Sequence, residues 1–398
     1  MSDKGFTQYD GYDIEYLKLT TNEGVEYDLK NFMIELNIYC EIFSPSMTGS
    51  ILFADGVNML SNLPIMGGEK VRVSWRTKGR SNWKRVDFRV ERVSEREDGD
   101  KDSNYRIQLV SEDRFAEVAT PTSRGYQGSY SDIIKSVMES LTQRPMELGQ
   151  TSGIQTFASP MWTPFQIVEW CTRRSVGIDG SPLVFYEDLD GYKLRSVSDL
   201  VSSESKARLY KQPYGLENDP IKILRNIEQV EWRGNRNSMS LSATGCVGNL
   251  ESVFDFNNKT VQNTHNTYRS HFESTPHLDK YPVSIDTRDH SYNIWNVSAP
   301  DGSHTGRFAR DVLDNTLFYT SIAVILPGDD EFVLGGVYDF NLPSPEPSDN
   351  GDAPTEKYVS GRWLTTSIRH TLRTNGYTMA VDLAKDSYTS ELKGKIDG

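Results

Sequence analysis

Cysteine is scarce in this 398-residue chain: Cys40, Cys171 and Cys246 lie far apart, with no C-x-x-C spacing. Such a set supplies neither a disulfide framework nor a cysteine-type zinc site, and it fits a reducing compartment. Long apolar runs are missing as well. No stretch of about 18 residues is apolar enough to cross a bilayer. The first residues, Met1-Ser2-Asp3-Lys4-Gly5, do not open a basic-then-apolar leader, so no signal peptide is read. Positive charge is in deficit: 43 Lys and Arg stand against 56 Asp and Glu, a formal charge of −13. Coating nucleic acid needs a basic face that releases counterions from phosphate, so the balance argues against that role. Catalytic signatures are also lacking, with no GxSxG, HExxH or P-loop. The expectation is a non-enzyme with no catalytic, cofactor-binding or metal-binding residues.

What is there is aromatic and β-patterned. The chain carries 16 Phe, 20 Tyr and 7 Trp, more than a disordered polymer would, and its length predicts two to four domains. Residues 31–43, 50–54, 70–76, 86–93 and 105–110 alternate apolar and polar residues between turn signals, as half-buried strands do. Residues 1–117 therefore read as a first β-domain, an antiparallel sandwich or small barrel. The period then changes. Ile133, Ile134, Val137 and Leu141 fall at helical spacing, and Thr163-Pro164-Phe165-Gln166 opens a second helix with a capping box and a proline in the first turn. Trp162 is expected to pack on Ile167, and Gly177 to end that helix. A hairpin follows through Asp190-Gly191. Residues 118–218 form a small α+β module on this reading.

Strands resume at 221–233, with a bulge expected between Ile227 and Val230, because the apolar residues switch from odd to even positions there. Further strands are predicted at 238–243, 321–326, 338–342, 362–372 and 377–383, with a helix from 306 to about 319. Residues 219–250 and 306–388 thus compose a second β-domain. It is interrupted by a polar insert, 251–305, and followed by a tail, 389–398. A repeat links the two halves. Gly67-Gly68 leads into a strand, a strand over 86–93, a charged turn and Tyr105 to Val110. Gly335-Gly336 leads into a strand, a Pro-rich loop over 341–356, a strand over 364–372, a turn and Tyr377 to Leu383. The preferred reading is two related β-domains flanking the α+β module, an α+β chain that is mainly β.

Candidate chemistry is weak throughout. His265, His271 and His277 recur at intervals of six, which matches neither a helical zinc pair nor a finger. Asp98, Asp100 and Asp102 imitate a calcium loop, but Ser103 stands where glycine is needed and Leu109 where the closing Glu is needed. Asp188-Leu189-Asp190-Gly191 reads as turn chemistry. Trp75, Trp83 and Trp232 lie in or beside strands, where burial is the simpler role. The Pro-rich loop and the polar insert are candidate contact arms.

The order of elements resembles the central baseplate hub family of T4-type contractile-tailed phages, which is related to the base of type VI secretion spike proteins. The resemblance covers most of the chain. It includes the β-domain to about 117, Pro160-Met161-Trp162-Thr163-Pro164-Phe165, the hairpin with Phe185-Tyr186 and Asp190-Gly191-Tyr192, and the resumed β-domain. It implies two tail-tube-like barrels per chain and a homotrimer. Six such barrels make a ring that joins the sixfold tail tube to the threefold central spike and leaves a channel for DNA. The implied partners are the spike, the tube protein or its initiator, and the inner baseplate wedges. DNA passes without specific binding, and no membrane is involved. The implied location is the virion tail, assembled in the host cytoplasm. The competing reading is a carbohydrate- or receptor-binding tail protein, which needs exposed aromatics and positioned carboxylates in one concave site.

Overall fold

The computed structural model describes residues 11–55, 65–98, 103–211, 220–235, 239, 245–283, 292–297, 307–342, 356 and 358–391. Seven strands come first: β1 (Tyr12–Thr20), β2 (Glu26–Asp28), β3 (Met33–Glu41), β4 (Thr48–Asp55), β5 (Lys70–Thr77), β6 (Lys84–Asp98) and β7 (Ser103–Ser111). Period-two alternation builds them. In β7, Tyr105, Ile107 and Leu109 are buried and the residues between them are half-buried.

Helices then alternate with short strands: α1 (Glu112–Glu117), β8 (Thr122–Gly128), α2 (Tyr130–Glu139), β9 (Met146–Leu148), β10 (Gln155–Trp162), α3 (Pro164–Arg174), β11 (Leu183–Asp188), β12 (Gly191–Ser196), α4 (Val197–Ser202) and β13 (Ser205–Leu209). Ser129 caps α2 by accepting the Asp132 N–H at 3.1 Å. Ile133, Ile134 and Val137 then share a core with Phe165, Ile167, Val168 and Cys171 of α3. The capping box of α3 forms, with Gln166 Oε1 accepting the Thr163 N–H at 3.0 Å. Trp162 packs against the cluster that holds Ile167, with its ring 5.7 Å from that of Trp170. One detail differs from expectation: the helix ends on the extended Ser175 instead of reaching Gly177.

The rest of the chain supplies α5 (Pro220–Leu224), β14 (Gln229–Asn235), β15 (Gly248–Asp255), β16 (Thr260–Thr267), α6 (Tyr268–Ser274), β17 (Tyr281–Pro282), β18 (Tyr292–Val297), α7 (Arg307–Thr316), β19 (Thr320–Pro327), β20 (Val337–Phe340), β21 (Gly361–Arg373), β22 (Gly376–Lys385) and β23 (Ser387–Tyr388). The strand expected over 221–233 is split. Pro220 lacks an N–H for a ladder and is pre-set for a first helical turn, so 220–224 coil and the strand starts at Gln229. The register shift falls between Trp232 and Gly234, later than expected. The polar insert holds more order than its composition signals, with β16, β15 and β18 forming their own sheet. Its cross-strand bonds are polar, Ser252 to Asn263 at 2.8 Å and Asn266 to Asn249 at 3.0 Å, so no apolar alternation marks it. The strand expected at 238–243 lies almost wholly outside the described residues, as does most of the Pro-rich loop.

The protein is mainly β, and its dominant feature is one large sheet of 13 strands. The main path runs β14-β19-β22-β21-β3-β4-β7-β6-β5-β1-β2, with β20 and β13 branching from β21. Among the described residues its two ends are not paired, so these ladders close no barrel. The strands expected in the two β-domains lie in this one sheet, joined edge to edge through β3 and β21.

Candidate assembly interface

Five strands of each half carry the same connections. β3 to β7 pair in the order β5-β6-β7-β4-β3, and β14 with β19 to β22 pair in the order β20-β21-β22-β19-β14. Every one of these pairings is antiparallel. Register agrees as well. The pairs Gly49–Leu109, Ile51–Ile107 and Phe53–Tyr105 of one half correspond to Ile322–Leu383, Val324–Val381 and Leu326–Met379 of the other. β6 slips register between Val90 and Arg92, and β21 slips at the matching place, between Thr365 and Ser367. A bulge inserts a residue and bends the strand, so a shared bulge marks a shared shape.

The glycine-led segments before β5 and β20 also make the same bonds. The Gly68 N–H donates to the Val90 carbonyl at 2.8 Å and the Val90 N–H to the Glu69 carbonyl at 2.9 Å. The Gly335 N–H donates to the Thr365 carbonyl at 3.0 Å and the Thr365 N–H to the Gly336 carbonyl at 2.9 Å. Gly68 thus corresponds to Gly335, one place away from a pairing of the two Gly-Gly steps. Both have positive φ, +85° and +71°, which explains glycine at each.

The joint between the halves is the ladder of β3 with β21, running from Ser367 opposite Glu41 to Arg373 opposite Glu35. The bulge lets β21 leave β20 after Leu364 and continue beside β3. Leu36, Ile38, Ile368 and Leu372 are buried along it. Thr371 Oγ1 donates to Asn37 Oδ1 at 2.8 Å, and Arg373 pairs with Glu35 at 2.7 Å. His370 is buried opposite Ile38, with Nδ1 2.7 Å from the Tyr377 hydroxyl. Burial pushes that imidazole down to about 4, so it is neutral at ordinary pH. A second tie joins the end of β5 to the turn after β19. The Asp330 N–H donates to Thr77 Oγ1 at 3.0 Å, and Arg225 pairs with the buried Asp329 at 2.6 Å.

Buried charges fasten the other parts to this sheet. Glu187 of β11 accepts the Met47 N–H at 2.7 Å and pairs with Arg144, tying the α+β module to the first half. Burial raises its carboxyl to about 7, against the pull of Arg144. In the second half, Lys385 Nζ meets Asp279 at 2.5 Å and the Ser360 carbonyl at 2.9 Å. His277 Nδ1 lies 2.7 Å from Asp386, and the Leu278 N–H donates to that carboxylate at 3.2 Å. The loop after α6 is thereby locked onto β22 and β23.

The residues weighed for chemistry do not converge. His265 lies on exposed β16, whereas His271 lies within α6 and His277 just after it, where it stacks on Phe272 at 3.8 Å. No group of three His, Cys, Asp or Glu among the described residues is placed to hold a metal. Asp98 ends β6, and Asp100 and Asp102 lie outside the described residues. Asp188 Oδ1 accepts the N–H groups of Asp190 and Gly191 at 2.9 and 3.0 Å, which is turn chemistry. Trp75 is fully buried, Trp83 is covered by Arg76 at 4.4 Å, and Trp232 lies on the terminal strand β14. A groove of about 450 Å³ between Phe43, Glu169 and Phe185 contains none of these tryptophans. The β3–β21 joint itself was not foreseen. Its one sequence signal is the length of the 362–372 pattern, too long for a strand that pairs β20 alone.

No family model matches the sequence, and no curated protein matches it. Solved structures do. The prophage MuSo2 43 kDa tail protein from Shewanella oneidensis superposes with a TM-score of 0.61 at 10% identity, over 95% of this chain and 100% of its own. A tail protein from Neisseria meningitidis MC58 gives 0.57 at 12% identity, over 94% and 97%. Across nearly its whole length, this chain has the fold of these tail proteins.

Proposed function

We propose that this protein is a structural virion component, the central hub of a contractile-tail baseplate. Three copies form a ring in which each five-stranded unit takes one tail-tube-like barrel position. The ring meets the sixfold tail tube on one side and the threefold spike on the other, and it leaves a channel for DNA. The observation that carries the reading is the duplicated unit. One chain supplies two β-units with the same strand order, the same register in the central ladder and one shared bulge, which a threefold assembly needs in order to present six similar positions. The tail-protein fold supports the same reading. The formal charge of −13 suits a channel that DNA crosses without sticking. The protein has no catalytic role on this reading, and its partners are the spike, the tube or its initiator, and the inner wedges.

The test is solution mass by light scattering, for the protein alone and with its candidate spike protein. A mass of three subunits, present alone or induced by the spike, is the expected result. A monomer under both conditions overturns the hub.

A further inference from the structure

Lys385 and Asp279 meet almost out of reach of water. The Lys385 side chain is fully buried, the Asp279 side chain is 9% exposed, and Nζ stands 2.5 Å from Oδ2. Taking two charges out of water can cost more than their attraction returns. Burial acts on both groups in the same sense. It lowers the Lys385 ammonium and raises the Asp279 carboxyl, each toward its neutral form.

The backbone around the pair is fitted to it. The Ser360 carbonyl accepts from Nζ at 2.9 Å, and the Arg362 N–H donates to Oδ2 at 3.3 Å. Between them Gly361 has φ +130°, and a Cβ there would lie 2.5 Å from both Oδ2 and Nζ. Glycine is what lets the chain close on the pair. The ring of Trp363, itself fully buried, lies 5.6 Å from Nζ. On its other side, Asp279 lines a groove of about 400 Å³ with Phe272, His277 and Pro282. The amine is held dry, and the carboxyl has an outlet for water.

We infer that Lys385 and Asp279 condense into a side-chain amide once the chain has folded. Nζ bonds to Cγ of Asp279, and the Cγ–Oδ1 bond breaks. Oδ1 leaves as water with two of the three ammonium protons, and the third stays on the amide nitrogen. Atoms and charge balance with no oxidant and no co-reactant. The product retains both backbone partners: its N–H faces the Ser360 carbonyl, and its Oδ2 faces the Arg362 N–H. Two buried charges give way to one hydrogen-bonded neutral group, which costs less to keep out of water. The fold supplies the proximity and orientation that drive the step. None of the three cysteines is in a disulfide, so the amide gives the chain a covalent tie that they do not. It fastens the returning end of the insert to the end of β22, and it does not depend on the ring.

Peptide mapping by mass spectrometry tests it on the full chain, kept folded for a week, then denatured and digested with trypsin. The expected product is residues 270–280 joined to residues 374–393, one water lighter than their sum, with cleavage after Lys385 blocked. A low intact mass alone does not decide, because an Asp–Gly step such as Asp190-Gly191 also loses a water on closing to a succinimide. Lys385→Arg keeps the cation and is expected to give no branched peptide. Chain held in denaturant throughout is expected to give none either, since the fold supplies the geometry. Folded protein that yields only the separate peptides overturns the amide and leaves an ion pair. A branched peptide formed equally in denaturant overturns it as well, because the fold then plays no part.

Discussion

The two β-units share their frame and differ in what fastens their rims. At the end of β7, Ser111 is a small buried residue; at the matching end of β22 stands Lys385, fully buried against Asp279. The first unit continues from β3 to β4 through a short turn. The second carries the whole insert between β14 and β19, and that insert returns as a loop pinned by Asp279 and His277. A duplicated frame therefore tolerates a long insertion at one connection, provided that buried ionic contacts hold its returning end. Apolar rungs repeat, while charges mark where the copies diverged.

Removing the divergent anchor is expected to have the largest effect. Lys385→Met strands the Asp279 carboxylate in a buried site, where an uncompensated charge costs about 3–5 kcal/mol. Chemical denaturation of freshly folded protein, before the amide closes, measures it, and Lys385→Met with Asp279→Leu is expected to recover most of the loss. If the double variant is no better than the single, the pair is not what fixes the loop. The shared frame is tested next by matched truncations. Leu109→Ala and Leu383→Ala remove the same buried rung position from each unit, and each is expected to cost about 2–5 kcal/mol. A difference between them larger than that whole range would break the equivalence of the two units.

How much of this was legible follows from the same contrast. Alternation exposed β3 to β7 and β19 to β22, because half-buried strands write period two into Leu, Ile and Val. Thr163, Pro164 and Gln166 announced α3 through local capping chemistry alone. The repeat was visible in element order, although Gly68 and Gly335, not the two Gly-Gly steps as pairs, are the matching residues. The insert's strands were hidden, since Asn249, Asn263 and Asn266 pair by hydrogen bonds and leave no apolar signature. The fusion of β3 with β21 was hidden for another reason. Pairing between residues more than 300 positions apart depends on tertiary placement, and neither strand encodes its partner.

A third test probes the joint by pH. His370 is buried and neutral with a value near 4, whereas an unfolded histidine titrates near 6.5. Below about 6.5 the unfolded chain takes up a proton that the folded site refuses. Stability from this group is thus complete above 6.5 and falls as pH drops toward 4, by about 3 kcal/mol at most. His370→Gln, which can still bond the Tyr377 hydroxyl, is expected to flatten that part of the pH profile. An unchanged profile would mean that another group carries the acid sensitivity.

The smallest expected effect is also the one that sharpens the comparison most. Ile38 and Trp232 share a rung, because they face Gly49 and Ile322, which themselves correspond. Yet Ile38→Ala is expected to cost about 2–5 kcal/mol in the isolated chain, whereas Trp232→Gln stays within about 0.5 kcal/mol. The reason is the neighbour. β21 covers Ile38 within the chain, and nothing among the described residues pairs with the outer edge of Trp232's strand. Thermal unfolding of dilute protein reads this difference directly. Equal costs for the two variants would mean that the edge of β14 is already covered within one chain, and the rung would then no longer distinguish a used edge from an open one.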